Sequence, residues 1–236
     1  METDADRGLS KKSLCIQSVG RTGGMYYYND RWQVLSEYNG SNSPQRWFAY
    51  GNYIDEVLMM NTTTAAILAK VYVHDHLFSP VALVQMYHLD LKERYEYDAY
   101  GNCYVLEPNF APDPDNKTDY GNPYYFTGRQ LDFLDGGNLK IQYNRNRYYD
   151  YFTGRWLTHD PLGITPNSQW PNKFSVTDQY GDGSSLYEVF GSNPLTRRDP
   201  WALSIVRLPD PFPEDGPRPC SPQSAEKHIP ATEAPG

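Results

Sequence analysis

Cysteine is scarce: Cys15, Cys103 and Cys220 are the only thiols among 236 residues. Their wide spacing excludes a zinc knuckle and a disulfide framework of the kind that staples small secreted domains. Positive charge is also short, with 21 basic against 29 acidic residues and a net charge of −8. A general nucleic-acid binder needs clustered excess lysine and arginine, so that class is excluded for the surface as a whole. A local basic strip, Arg145, Arg147 and Arg155, is the exception. No continuous apolar run reaches membrane-spanning length, so no membrane span is expected. The opening residues carry acids where a secretory leader needs bases, and no apolar segment follows, so the usual export leader is not expected either. Aliphatic packing is thin, since the hydrophobic fraction is 39% and aromatics alone make up 15% of the chain.

What is abundant is tyrosine, 21 residues of it. Amphipathic rings must therefore supply much of the buried surface. Such a balance disfavours a helical bundle and favours strands, whose pleat accommodates aromatic side chains. Three zones follow from composition. Residues 1–23 are polar and mixed in charge, and read as a disordered N-terminal arm. Residues 24–202 hold nearly all the aromatics. Residues 203–236 are dense in proline with no apolar period, and read as a disordered tail of polyproline II character.

The middle zone repeats itself. Tyr-Gly-Asn recurs at Tyr50–Asn52, Tyr100–Asn102 and Tyr120–Asn122, and Phe-Thr-Gly-Arg at Phe126–Arg129 and Phe152–Arg155. Short alternating segments flank them: Met25–Tyr28 with Arg31–Leu35, Arg46–Tyr50 with Tyr53–Met59, Tyr72–Leu77 with Pro80–Gln85, and Arg94–Tyr97 with Cys103–Leu106. Glycine takes positive φ without penalty and asparagine tolerates it, so these are hairpin signals, with turns at Tyr50–Asn52, Asp98–Asn102 and Asp135–Gly137. The expected fold is all-β, built of repetitive antiparallel hairpins that cover one another, because a lone hairpin is too small to be stable. Thr62–Lys70 has some helical leaning, but between strand signals it reads as a loop feeding a strand. An incomplete ribbon leaves edges unpaired, so self-association is expected.

Arg94-Tyr-Glu-Tyr-Asp-Ala-Tyr-Gly-Asn102 resembles the YD unit of rearrangement-hotspot (RHS) proteins. Asn122–Arg129, Tyr143–Asp150 and Thr153–Gly163 resemble, in order, the RHS repeat-associated core, and Leu186–Pro200 is similar to its closing motif. The resemblance covers roughly residues 25–202. It implies YD repeats over 24–110 and the associated core over 111–202, as part of a spiralling shell of hairpins. In that family a variable domain, commonly a toxin, follows the core, and in several members the core frees it by aspartic autoproteolysis. The implied role is a shell or scaffold module of a bacterial polymorphic-toxin or cell-surface protein. Its implied partners are the remaining shell or a cognate toxin or immunity protein. The 34 residues after Ala202 are too few and too proline-rich to form a toxin domain. The rival reading is a β-rich surface adhesin that binds glycan or a partner protein.

The resemblance also supplies candidate chemistry. Asp160 and Asp199 each precede proline and match the two Asp-Pro elements whose aspartates form the self-cleaving pair; Arg147 matches the basic residue that accompanies it. Two close carboxylates cannot both ionise cheaply, so one serves as acid while the other activates water. This chain departs from the pattern in three places. The aspartates lie 39 residues apart, longer than usual, with Gln169–Gly183 as the insertion. Tyr151 replaces the usual proline. Ala202 replaces the final glycine, which predicts an altered closing turn. The favoured reading is that both Asp-Pro steps are turn starters and that the module is non-enzymatic, or at most self-cleaving. Any cleavage is expected just past Ala202, near Leu203 and Ser204.

No cofactor or metal site is expected. His74-Asp75-His76 places two imidazoles on one strand face without further ligands at motif spacing. The glycosylation-type triplets at Asn61 and Asn116 are short enough to arise by chance, and neither a phosphate loop nor a nucleophile elbow is present.

Overall fold

The computed structural model describes residues 24–29, 31–62, 69–161, 180, 183–203 and 205–207. The arm, the tail past Arg207 and most of the Gln169–Gly183 insertion lie outside these residues; at the start of the tail, expected to be disordered, Val206–Arg207 form a short strand. The middle of Thr62–Lys70 also lies outside the described residues; Thr62 ends one strand and Lys70 begins the next.

The fold is all-β and antiparallel. Eight strands form one sheet in sequence order: β1 (Met25–Tyr28), β2 (Val34–Tyr38), β3 (Pro44–Tyr50), β4 (Val57–Thr62), β5 (Lys70–His74), β6 (Pro80–Gln85), β7 (Asp90–Tyr97) and β8 (Cys103–Leu106). A second sheet runs β9 (Gln130–Leu134), β10 (Leu139–Asn144), β11 (Arg147–Asp150) and β12 (Arg155–Trp156), again each beside its sequence neighbour. The two-residue strands β13 (Arg197–Arg198) and β14 (Val206–Arg207) follow.

Aromatic alternation places the core. Phe48, Met60, Tyr72, Leu83, Tyr95 and Val105 occupy one face of the long sheet and are buried there. Tyr124 and Tyr125, from the connection into β9, cover that face. Tyr124 packs edge-on against Phe48 at 5.1 Å, and Tyr125 edge-on against Tyr95 at 5.7 Å. Three of the core hydroxyls are hydrogen-bonded: Tyr50 and Tyr124 share a bond of 2.7 Å, and Tyr72 donates to Asn122 Oδ1 at 2.9 Å. Rings thus fill the volume that aliphatic side chains would otherwise fill, and each needs a polar partner to do so.

The turns share one device. Asp98 Oδ1 accepts the backbone N–H groups of Tyr100 (2.9 Å) and Asn102 (3.0 Å), while Gly101 sits at φ +91°. Asn29, Asn39, Asp75 and Asp113 do the same for the residues two and four positions on. In each, the residue three on is left-handed: Trp32, Asn42, Phe78 and Asn116. Thr118 supplies the same acceptor to Tyr120 and Asn122, with Gly121 at φ +66°. The repeated Tyr-Gly-Asn is thus this turn at 100–102 and 120–122. At Tyr50–Asn52 it is a wider turn closed by Gly51 N–H to the Glu56 carbonyl at 2.8 Å. The third expected turn, Asp135–Gly137, is a short 3-10 segment with Gly136 at φ +66°.

Asp98→Ala removes the one oxygen that accepts two backbone N–H groups and is expected to lower stability by about 1–2 kcal/mol in urea unfolding, whereas Asp98→Asn, which keeps the oxygen, should lose less than half of that.

Candidate functional site

Buried charge marks the site. Arg147 opens β11 and is 4% exposed. Its Nη2 lies 3.0 Å from Asp160 Oδ2 and 3.3 Å from Asp199 Oδ2, both buried. One nitrogen therefore meets both candidate aspartates, although 39 residues separate them in the chain. The Nε of the same side chain donates to the Ala202 carbonyl at 2.6 Å, and the guanidinium stacks over Trp156 at 4.3 Å.

Asp199 sits in the turn device of the hairpins. Its Oδ1 accepts the N–H groups of Trp201 (3.3 Å) and Leu203 (3.0 Å), and the residue three on, Ala202, is left-handed at φ +53°. The expectation that alanine in place of glycine alters the closing turn is thus overturned. The aspartate holds the turn through its side chain, and Ala202 takes a conformation that costs about 1–2 kcal/mol for an L-residue. A small cleft of about 10 Å³, room for about one water, is lined by Arg147, Asp160 and Asp199 together with Ser185, Leu186 and Glu188.

A second ionic cluster adjoins it. Asp55, in the turn between β3 and β4, is 4% exposed and pairs with Arg129 at 3.0 Å and Arg145 at 2.7 Å. Both guanidiniums also donate to the Pro200 carbonyl, and Asn146 Nδ2 donates to the Trp201 carbonyl at 2.8 Å. The expected basic strip is therefore not a surface. Arg145 and Arg147 turn inward to aspartates, and only Arg155 is exposed. Sequence reasoning missed Asp55, which carries no motif, and Arg129, which looked like one repeat copy among two. The signal that separates the copies is partnership. Phe126 is buried against Tyr97 and Phe190, while Phe152 is 88% exposed.

The other candidates are structural. His76 Nε2 is 2.9 Å from the Leu195 carbonyl, and His74 packs flat against Tyr72 with its charged form disfavoured by burial. Asn116 uses its amide to hold Val105 N–H at 2.7 Å and to reach the Cys103 carbonyl. Cys103 is buried, and its thiol is pushed up to about 12, which makes it unreactive. Among the described residues Glu107, Asp113 and Asp119 gather at the surface as an acidic group.

The chain is therefore an antiparallel all-β protein with a buried aspartate–arginine cluster. No family model matches it. Over 109 residues, 46% of its length, it is 34% identical to the uncharacterized protein YlbH of Escherichia coli (strain K12), and it spans 34% of that protein. It is also similar to chains in the crystal structures of TcdB2-TccC3-TEV (17% identity, TM-score 0.45) and TcdB2-TccC3 (19% identity, TM-score 0.40). Those similarities cover 81% of this chain and 9% or 10% of the others. No helix among the described residues is long and apolar enough to cross a membrane.

Burial pushes the Asp55 carboxyl up from 3.8 to about 6 against the pull of Arg145. The folded chain then holds that proton more tightly than the unfolded chain, so the contribution of Asp55 to stability is full below its unfolded value and is lost as pH rises through about 6. The stability gap between the native chain and Asp55→Asn, measured by urea unfolding, is expected to narrow from pH 4 to pH 7. A constant gap would show that the arginines fully offset burial.

Proposed function

We propose that the chain is a core module of an RHS-type, toxin-related scaffold, and that Asp160, Arg147 and Asp199 form its aspartic self-cleavage site. The observation that carries this is the convergence of both Asp-Pro aspartates on one guanidinium, which also grips the carbonyl of the residue expected to precede the cut.

The geometry is compatible with the following roles. Arg147 Nε polarises the Ala202 carbonyl and stabilises the oxyanion that forms when water adds to its carbon. Asp160, with an oxygen on the small cleft, is the base that takes the water proton. Asp199 Oδ1 lies 3.0 Å from the Leu203 nitrogen. Once the carbonyl carbon is tetrahedral that nitrogen carries a lone pair, and Asp199 in its acid form protonates it. The C–N bond then breaks, leaving a carboxyl on Ala202 and an amine on Leu203, with one water consumed. With one proton held by the pair, Arg147 faces a single negative charge, and it keeps both side chains in place before any reaction.

The scaffold reading rests on the ordered YD and core motifs together with the meander they form. Tyr27, Trp47, Tyr87 and Tyr104 are exposed, and exposure of single rings alone does not favour a glycan.

Intact-mass measurement on freshly purified protein tests the site. A species ending near Ala202 is expected. It should disappear in Asp160→Asn and Asp199→Asn, and Arg147→Lys should slow its formation at least tenfold, since a lysine cannot serve both carboxylates and the carbonyl from one plane. Full-length mass in the native chain would leave these aspartates as turn and packing residues only.

A further inference from the structure

The Asp55 cluster ends on the backbone that the proposed reaction would cut. Successive side chains at the tip between β10 and β11 take successive carbonyls of one segment. Arg145 holds Pro200, Asn146 holds Trp201 and Arg147 holds Ala202. Arg129 reaches the Pro200 carbonyl from a separate element, and Asp55 orients Arg129 and Arg145 from a third. The tip itself is a poor two-residue hairpin. Arg145 sits at φ +60°, where Asn-Gly would be relaxed, so local strain is retained together with side chains that reach the neighbouring segment.

A cluster that only packed the interior would satisfy its arginines on carboxylates. Here the guanidiniums of Arg129 and Arg145 divide their donors between Asp55 and a single carbonyl, which fixes the Pro200 peptide in space. The bidentate, planar donors of arginine suit that double duty. Hydrolysis of a peptide by fixed side chains fails if the carbonyl wanders by about 1 Å, so gripping the two preceding residues has a direct use.

Resting on the self-cleavage reading above, we infer that Asp55, Arg129, Arg145 and Asn146 are positioning residues. They act as a clamp that holds residues 200–201 so that the Ala202 carbonyl stays on Arg147. None of the four touches the reacting atoms.

The experiment separates the clamp from the chemistry. Amide hydrogen exchange over residues 199–203 is measured in the uncleavable Asp160→Asn chain, alone and combined with Asn146→Ala, Arg145→Met or Arg145→Lys. Cleavage is followed by intact mass in the chain that retains Asp160. Asn146→Ala, which loses one surface hydrogen bond and no buried charge, should raise exchange at Trp201 and Leu203 roughly fivefold. It should slow cleavage by a similar factor without moving the cut, and exchange in β5–β8 should stay unchanged. Arg145→Met should do more, and Arg145→Lys should recover part of both effects. Exchange over 199–203 that is unchanged in Asn146→Ala and Arg145→Met overturns the clamp. If Arg145→Met raises exchange throughout the chain, it has unfolded, and Asn146→Ala decides. Raised exchange with no cleavage in the native chain sinks the hydrolysis reading and with it the positioning role.

Discussion

A guanidinium cannot give up its charge at any pH a protein meets, so a buried arginine dictates what must surround it. Arg147 is such a group, and the C-terminal part of the described fold is arranged to answer it. Two carboxylates, a carbonyl and the face of Trp156 converge on one side chain. Next to it Asp55 answers Arg129 and Arg145. Three aspartates thus face three arginines in a nearly dry region. Removing Asp55 takes the shared carboxylate from two buried guanidiniums, and removing Arg147 takes the shared cation from two buried carboxylates, the situation that costs most in a protein interior. The ions also join parts of the chain that share no strand pairing: the β3–β4 turn, the second sheet and the segment around residue 200.

The aspartate turn links this cluster to the repeats. An Asx oxygen that accepts two backbone donors closes the hairpins at Asn29, Asn39, Asp75 and Asp98, and the same arrangement recurs at Asp199 with its second oxygen turned to Arg147. A site of this kind needs little new architecture. It borrows a turn already present in the repeats and moves a charged partner beside it.

Much of the fold was legible because its causes are local. Period-two aromatics and, at Asp98–Asn102, Asx–glycine punctuation sit within a few residues of what they determine, and the hairpins they flank follow from them. Strand ends drifted by a few residues where the turn device consumed flanking positions: the segment read from Tyr53 starts pairing only at Val57. The resemblance named Asp160, Asp199 and Arg147, and the fold brings them together. It misjudged Ala202, because glycine at the left-handed position matters less when a side chain already fixes the turn; Trp32, Asn42 and Phe78 occupy that position elsewhere. Asp55 stayed hidden. Its partners lie 74 and 90 positions away, and no pattern within its own neighbourhood distinguishes it from a solvent-facing turn aspartate.

Every strand of the long sheet pairs with the one made just before it, so each step closes only a short loop. Such a chain can add strands in order as it leaves the ribosome, with little entropy to overcome at any stage. The ionic cluster behaves oppositely, since it needs residue 55, residues 129–147 and residues 199–202 all present. It cannot be complete before residue 202 has been made. Any chemistry at Asp160 and Asp199 is thereby withheld until synthesis has passed the peptide concerned and the sheets are in place. Such a site would report that folding is complete.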